Sequence, residues 1–132
     1  MSTASPFLMF QNGRAKAALD LYIATFPDSE IVRADYYAQG EQGPEGSIKV
    51  ATFTICGREF MCSDSPISHD FTFTPSSSIF VELDSVSELD RVFNALSDGG
   101  QVLMPLGNYG FSQKFGWIND SFGVSWQLNV AS

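Results

Sequence analysis

Phe115–Leu128, FGWINDSFGVSWQL, sets two aromatic-rich, strand-like runs on either side of Asn119-Asp120-Ser121-Phe122-Gly123. Asn, Asp and Gly tolerate positive φ, so the centre reads as a hairpin turn. A turn over Asp120 to Gly123 pairs Asn119 with Val124, which sets Trp117 opposite Trp126 and Gly116 opposite Gln127. Side chains alternate between the two faces of a strand. One face is then expected to carry Trp117, Val124, Trp126 and Leu128 and to be buried. The other carries Lys114, Gly116, Ser125, Gln127 and Asn129. A sheet with one apolar face and one small, polar face is suited to holding a ligand in a concavity.

Going back from the hairpin, Gln101 to Met104 reads as a strand and Pro105 to Gly110 as a loop. A helix precedes them, with its stripe at Val86, Leu89, Phe93 and Leu96. Ser85-Val86-Ser87-Glu88 has capping-box spacing at its start, and Gly99-Gly100 stops it. Ser78 to Leu83 is the strand before that helix. The first half repeats the order. Pro6 to Gln11 reads as a strand, with Asn12 as N-cap of a helix over about Arg14 to Phe26. Its stripe is Ala15, Ala18, Leu19, Tyr22 and Phe26. Ser29 to Ala38 is a strand, and Gln39 to Gly46 is a polar connection. Ser47 to Cys56 and Glu59 to Asp64 form a hairpin about Gly57-Arg58. The chain therefore reads as one domain over residues 1–132, α+β in class, with one βαβββ unit written twice. The units span 1–64 and 78–132 and are joined by 65–77. Neither unit buries its sheet alone, so the two are expected to share one core.

Composition narrows the function classes. A chain of 132 residues with twelve Phe and 44% hydrophobic content builds a real core. The net charge of −8 and the lack of a basic patch argue against nucleic acid and against anionic membranes as partners. No apolar run approaches the roughly 20 residues of a membrane span. MSTASPF lacks the features of a signal peptide, so the cytoplasm is the expected compartment. Cys56 and Cys62 do not have the spacing of a structural zinc site, and the predicted hairpin register sets them on opposite faces. They read as reduced and half-buried.

The doubled βαβββ plan resembles the vicinal oxygen chelate superfamily, which includes glyoxalase I, extradiol dioxygenases, fosfomycin-resistance enzymes and bleomycin-binding proteins. The strings PFLMF, ALDLYIATFPDSEI, GPEGSIKVATFTICGREFMCSDSP, HDFTFTPSSSIFVELDS and GGQVLMPLGNYGFSQKFGWINDSFGVSWQL are similar to its PhnB-like branch, often labelled 3-demethylubiquinone-9 3-methyltransferase-like. The resemblance covers almost the whole chain. It implies a glyoxalase-like, partly closed mixed β-sheet with helices outside, and commonly a homodimer. It also carries the superfamily's four metal-ligand positions onto Phe7, Met61, Ser78 and Gln127. Phe has no donor atom, Met offers a soft thioether, and a neutral Ser hydroxyl is weak, so only Gln127 suits a hard divalent ion. No metal and no cofactor are therefore expected. What the resemblance implies instead is an apolar, aromatic cavity with a few polar handles. Phe7, Met9, Thr52, Thr54 and Met61 contribute from the first unit, and Ser78, Phe80, Lys114 and Gln127 from the second. The methyltransferase label fits poorly, because the strand-to-helix junctions Gln11-Asn12-Gly13 and Asp84-Ser85 are too short and glycine-poor for a methyl-donor site.

Three functional classes follow. The favoured one is a metal-free protein that binds a small-molecule ligand and works by sequestration. The alternative is a glyoxalase-superfamily isomerase or lyase using a weak metal, or His69 or Glu59 as a base. The third is a dimerising scaffold without a ligand. His69-Asp70 has the residue types of a catalytic pair, but neighbours in an extended chain point opposite ways, so His69 reads as an anchor of the connection. Asp64, before Ser65-Pro66, reads as a cap and not a base. Cys62 has no cationic neighbour in sequence to make it a thiolate nucleophile. Phe71 and Phe73 alternate in the connection and call for burial, which a homodimer would supply.

Overall fold

The computed structural model describes residues 1–132, and it is α+β with two βαβββ units. The chain divides into two compact units, residues 1–70 and 71–132. The first holds β1 (Phe7–Phe10), α1 (Ala15–Thr25), β2 (Glu30–Tyr36), β3 (Ile48–Ile55) and β4 (Arg58–Asp64). The second holds β5 (Ile79–Glu82), α2 (Val86–Ser97), β6 (Gln101–Gly107), β7 (Lys114–Asn119) and β8 (Ser125–Val130). The sheet orders are β1-β4-β3-β2 and β5-β8-β7-β6, so the pattern repeats strand for strand. In each unit the first strand runs parallel to the last, and the other pairings are antiparallel.

In the first unit α1 packs on the sheet through Ala15, Ala18, Leu19 and Tyr22, all fully buried, with Phe26 just beyond its end. The strands answer with Ala51, Phe53, Ile55, Phe60 and Cys62, and Phe53 stacks on Phe60 at 5.7 Å. The start of α1 is not built as the sequence suggests. Asn12 has a φ of 62° and forms a turn with Gly13, while the N-cap position falls to Arg14, whose side chain does not cap the helix. The capping oxygen comes from 49 residues away. Asp64 Oδ1 accepts from the Ala15 amide at 2.9 Å, and its Oδ2 accepts from the Ile48 amide at 2.8 Å. A carboxylate there also complements the partial positive charge of the helix start.

The β3–β4 turn sits one residue earlier than expected. Cys56 and Gly57 occupy it with φ of 51° and 79°, the two positive values of a type I′ turn, and Ile55 pairs with Arg58. The Gly57 amide donates to Asp28 O at 2.8 Å and the Cys56 amide to Ser29 Oγ at 3.2 Å, which hold the turn down. Both cysteines are free, but neither is half-buried: Cys56 is exposed and Cys62 is fully buried.

In the second unit Ser85 Oγ accepts from the Glu88 amide at 3.2 Å, as the capping-box spacing predicts. Leu89, Val92, Phe93 and Leu96 bury one face of α2 against the sheet. The terminal hairpin differs from expectation by one residue. Gly123 N–H donates to Asp120 O at 3.0 Å, Asp120 N–H donates to Val124 O at 2.8 Å, and Gly123 has a φ of 92°. This is a three-residue loop closed by a glycine in the left-handed region, not a four-residue loop. Asn119 therefore pairs with Ser125, Ile118 with Trp126, Trp117 with Gln127 and Gly116 with Leu128. A slip of one residue exchanges faces. Trp117 joins Gln127, while Gly116 and Lys114 move to the helix side. A Cβ on Gly116 would lie 2.7 Å from the Phe93 ring, so only glycine lets α2 sit this close.

Candidate functional site

Each sheet has one face under its helix and one face away from it. In the first unit the open face carries Phe7 opposite Met61 on the β1–β4 pair, Met61 opposite Thr52, and Thr54 opposite Glu59. Met9 follows Phe7 on the same face by strand alternation, opposite Ser63. Phe7 is exposed, and Met9, Thr52, Thr54 and Met61 are half-buried.

The open face of the second sheet is richer in polar pairs. Ladder partners set Phe80 beside Gln127 and Gln127 beside Trp117. The neighbouring rung sets Glu82 beside Asn129 and Asn129 beside Phe115. Gln127 Nε2 donates to Ser78 Oγ at 2.7 Å, and Trp117 Nε1 donates to Ser125 Oγ at 2.8 Å. Asn129 Nδ2 donates to both oxygens of Glu82 at 3.1 Å. These bonds fix the side chains in place, which is what a recognition surface requires. Over one end of this floor lie four rings. Phe80 stacks on Phe115 at 6.4 Å, Phe111 meets Phe115 edge-on at 5.0 Å, and Tyr109 contacts both Phe111 and Phe115 at 6.5 and 6.1 Å. Tyr109 donates its hydroxyl to Pro105 O at 2.6 Å, which fixes the loop that carries Tyr109 and Phe111.

Of the residues expected to line a site, Phe7, Met9, Thr54 and Met61 lie on the first unit's open face, and Ser78, Phe80 and Gln127 on the second's. Lys114 is corrected. It stands on the helix side of β7, where its Nζ bonds Asp90 Oδ1 of α2 at 2.8 Å. The residues that sequence reasoning missed are Glu82, Tyr109, Phe111 and Phe115. The misread hairpin hid Phe115, which alternates in phase with Trp117. Phe80-Val81-Glu82 and Tyr109-Gly110-Phe111 carry an alternation that could have drawn attention to the others.

The candidate catalytic groups are engaged structurally. The His69 amide donates to Gln11 Oε1 at 2.7 Å, and its Nε2 lies 2.9 Å from Ser65 Oγ. Asp64 caps α1 and tethers β3. Burial first, and the charge of Asp64 second, push the Cys62 thiol up to about 12, so it stays a neutral thiol. The four positions that the resemblance in sequence carries over as metal ligands do not suit a hard divalent cation. Phe7 and Met61 are ladder partners that offer one soft sulfur between them, and the Ser78 hydroxyl is already engaged by the Gln127 amide.

Comparison with known proteins agrees with the fold. A Bacillus cereus protein described as a putative 3-demethylubiquinone-9 3-methyltransferase, PhnB protein, is 48% identical, with a TM-score of 0.94 over 98% of this chain and 100% of that one. Protein YjdN of Escherichia coli (strain K12) is 28% identical over 96% of this chain and 93% of its own length. A glyoxylase/bleomycin resistance protein/dioxygenase domain from Frankia sp. EAN1pec shares the fold, with a TM-score of 0.67 at 10% identity over 100% of this chain and 93% of that one. Residues 2–129 match the family described as 3-demethylubiquinone-9 3-methyltransferase. The chain thus belongs to that PhnB-like family, and it shares its fold with the glyoxylase/bleomycin resistance protein/dioxygenase domain.

Proposed function

We propose that this chain is a small-molecule binding protein that holds its ligand on the open face of the β5-β8-β7-β6 sheet and needs no metal to do so. One observation carries the reading. Phe80 and Phe111 are 54% and 61% exposed although both pack against Phe115 beside a floor of bonded polar side chains. Exposed rings grouped around fixed polar groups are the usual make-up of a ligand site. Ser78, Phe80 and Gln127 contact the ligand in this reading. Phe7, Met9, Thr54 and Met61 form the corresponding open face of the first sheet. The methyltransferase in the family description is a name and not an activity of this chain. The residues between β1 and α1, Gln11 to Arg14, and those between β5 and α2, Leu83 to Ser85, hold a single glycine, too few for a methyl-donor loop.

A fragment library screened by ligand-observed NMR tests this. Hits should appear with the native chain and be lost in Phe80→Ala and Phe111→Ala variants of unchanged unfolding midpoint. A blank screen, or hits that survive in both variants, rejects the reading.

The working form we propose is a homodimer in the cytoplasm. Each sheet ends on edge strands that call for cover, β1 and β2 in one and β5 and β6 in the other. Ile67 and Phe71 in the connection are 63% and 62% exposed, which favours an interface of about 1,600 Å² or more in total. Light scattering at micromolar concentration should give twice the chain mass, and Phe71→Ser should lower it. Two free thiols, one of them exposed, suit a reducing compartment. No helix is long and apolar enough to cross a membrane.

A further inference from the structure

The ring cluster borders a group whose chemistry is incomplete. Asn129 is only 6% exposed and spends its Nδ2 on the two oxygens of Glu82. Its Oδ1 is buried with no hydrogen-bond partner. Folded proteins rarely leave a buried acceptor without a donor. Phe115, whose ring anchors the cluster, is the ladder neighbour of Asn129 on the side away from Glu82. What this corner offers a ligand is therefore uniform in sign. The Glu82 carboxylate and the Asn129 carbonyl oxygen are acceptors, and ring faces carry the negative part of the aromatic quadrupole. The one hydroxyl in the cluster, on Tyr109, already donates to Pro105.

The second unit brings no cation of its own to this face. The second unit has two cationic side chains, Arg91 and Lys114. Arg91 lies on α2, which packs on the other side of the sheet, and Lys114 is held there by Asp90. An anionic ligand would meet a carboxylate and an unpaired acceptor, with no cation of this unit to stabilise its charge.

We infer that this corner binds an organic cation, a primary ammonium or a guanidinium, carried on an aromatic or apolar body. The inference rests on the small-molecule reading above and names the ligand's class. The N–H groups of such a cation supply the donor that Asn129 Oδ1 lacks and make a charge-assisted bond to Glu82. Its charge and its apolar body sit against the exposed faces of Phe80 and Phe111. Glu82 stays held by Asn129, so the carboxylate is fixed before the ligand arrives.

Three probes that share a benzyl group separate the possibilities: phenethylamine, phenethyl alcohol and phenylacetate. Their affinities are read by NMR titration of the full chain, followed at the Asn129 side-chain amide. Phenethylamine should bind roughly tenfold tighter than the alcohol, or more, the scale of one hydrogen bond to a charged group, and phenylacetate should bind weakest. Glu82→Gln keeps an oxygen for Asn129 Nδ2, so it should lower the amine to the affinity of the alcohol and leave the alcohol unchanged. Phe111→Ala should weaken amine and alcohol together. Equal binding of amine and alcohol, tighter binding of phenylacetate, or an equal loss for amine and alcohol in Glu82→Gln would overturn the cation inference while leaving the small-molecule reading in place. Binding of no probe would overturn the cation inference, and a blank fragment screen alongside it would overturn the small-molecule reading as well.

Discussion

Trp126 and Gln127 are neighbours in sequence that the sheet sends to opposite fates. Trp126 is fully buried on the helix side, and its Nε1 donates to Asp120 Oδ2 at 2.9 Å. Gln127 is half-buried on the open face and bonds only Ser78 among the side chains near it. Trp126→Ala should therefore cost about 3–5 kcal/mol, as large core truncations do, and it also removes a donor from a buried carboxylate. Gln127→Ala should cost about 1 kcal/mol or less. Chemical denaturation of the two variants checks this, and equal losses would contradict the observed register. Cys62 supplies a pH dependence. Its folded-state thiol is raised from 9.0 to about 12, so the contribution of the neutral thiol is complete below pH 9.0 and is lost as pH rises toward 12. The unfolding free energy of the native chain should fall more steeply above pH 9 than that of Cys62→Ala. Parallel slopes would show that the thiol does not ionise differently in the two states.

Individual elements were legible in the sequence to the extent that their causes were local. In α2, Val92 takes the buried place expected for Val86, but the stripe at Leu89, Phe93 and Leu96 and the Ser85 cap read correctly. The start of α1 does not, because its capping oxygen belongs to Asp64, far along the chain, and Asn12 is spent on a turn. The hairpins were legible as hairpins, but their register depends on which residue takes positive φ. Cys56 does so against the ordinary preference of its type, and Asp120 tightens the last loop by accepting from the Phe122 and Val124 amides at 2.8 and 3.1 Å. Such a loop, three residues long, shifts every downstream partner by one. That slip is why Lys114 was expected on the ligand face and Phe115 was overlooked. Asp64 gives the element-scale prediction. Asp64→Ala removes the acceptor of both the Ala15 and Ile48 amides and should cost on the order of 2–4 kcal/mol, the sum of a lost cap and a buried unpaired donor. Thermal unfolding should also show Asp64→Asn recovering part of the loss, since its single oxygen can serve only one of the two amides.

On the scale of the whole molecule, the sequence exposed the duplication because one helix and four strands read in the same order in each half. The four-ring cluster stayed hidden because it forms between segments far apart in the chain. Phe80 comes from β5, Phe115 from β7, and Tyr109 with Phe111 from the loop before β7. Polar residues on the open face were visible as an alternation, but not which of them bond each other. The fold also places the chain's two tryptophans on opposite faces of one sheet, which makes them paired reporters. Trp117 shares the open face with Gln127, and Trp126 sits under α2. The most direct test follows the two indole N–H signals in a two-dimensional NMR spectrum while phenethylamine is added. Binding on the open face of the β5-β8-β7-β6 sheet predicts that the Trp117 signal moves to saturation while the Trp126 signal stays in place. Saturable movement of the Trp126 signal with Trp117 unmoved, or movement of neither, would contradict it.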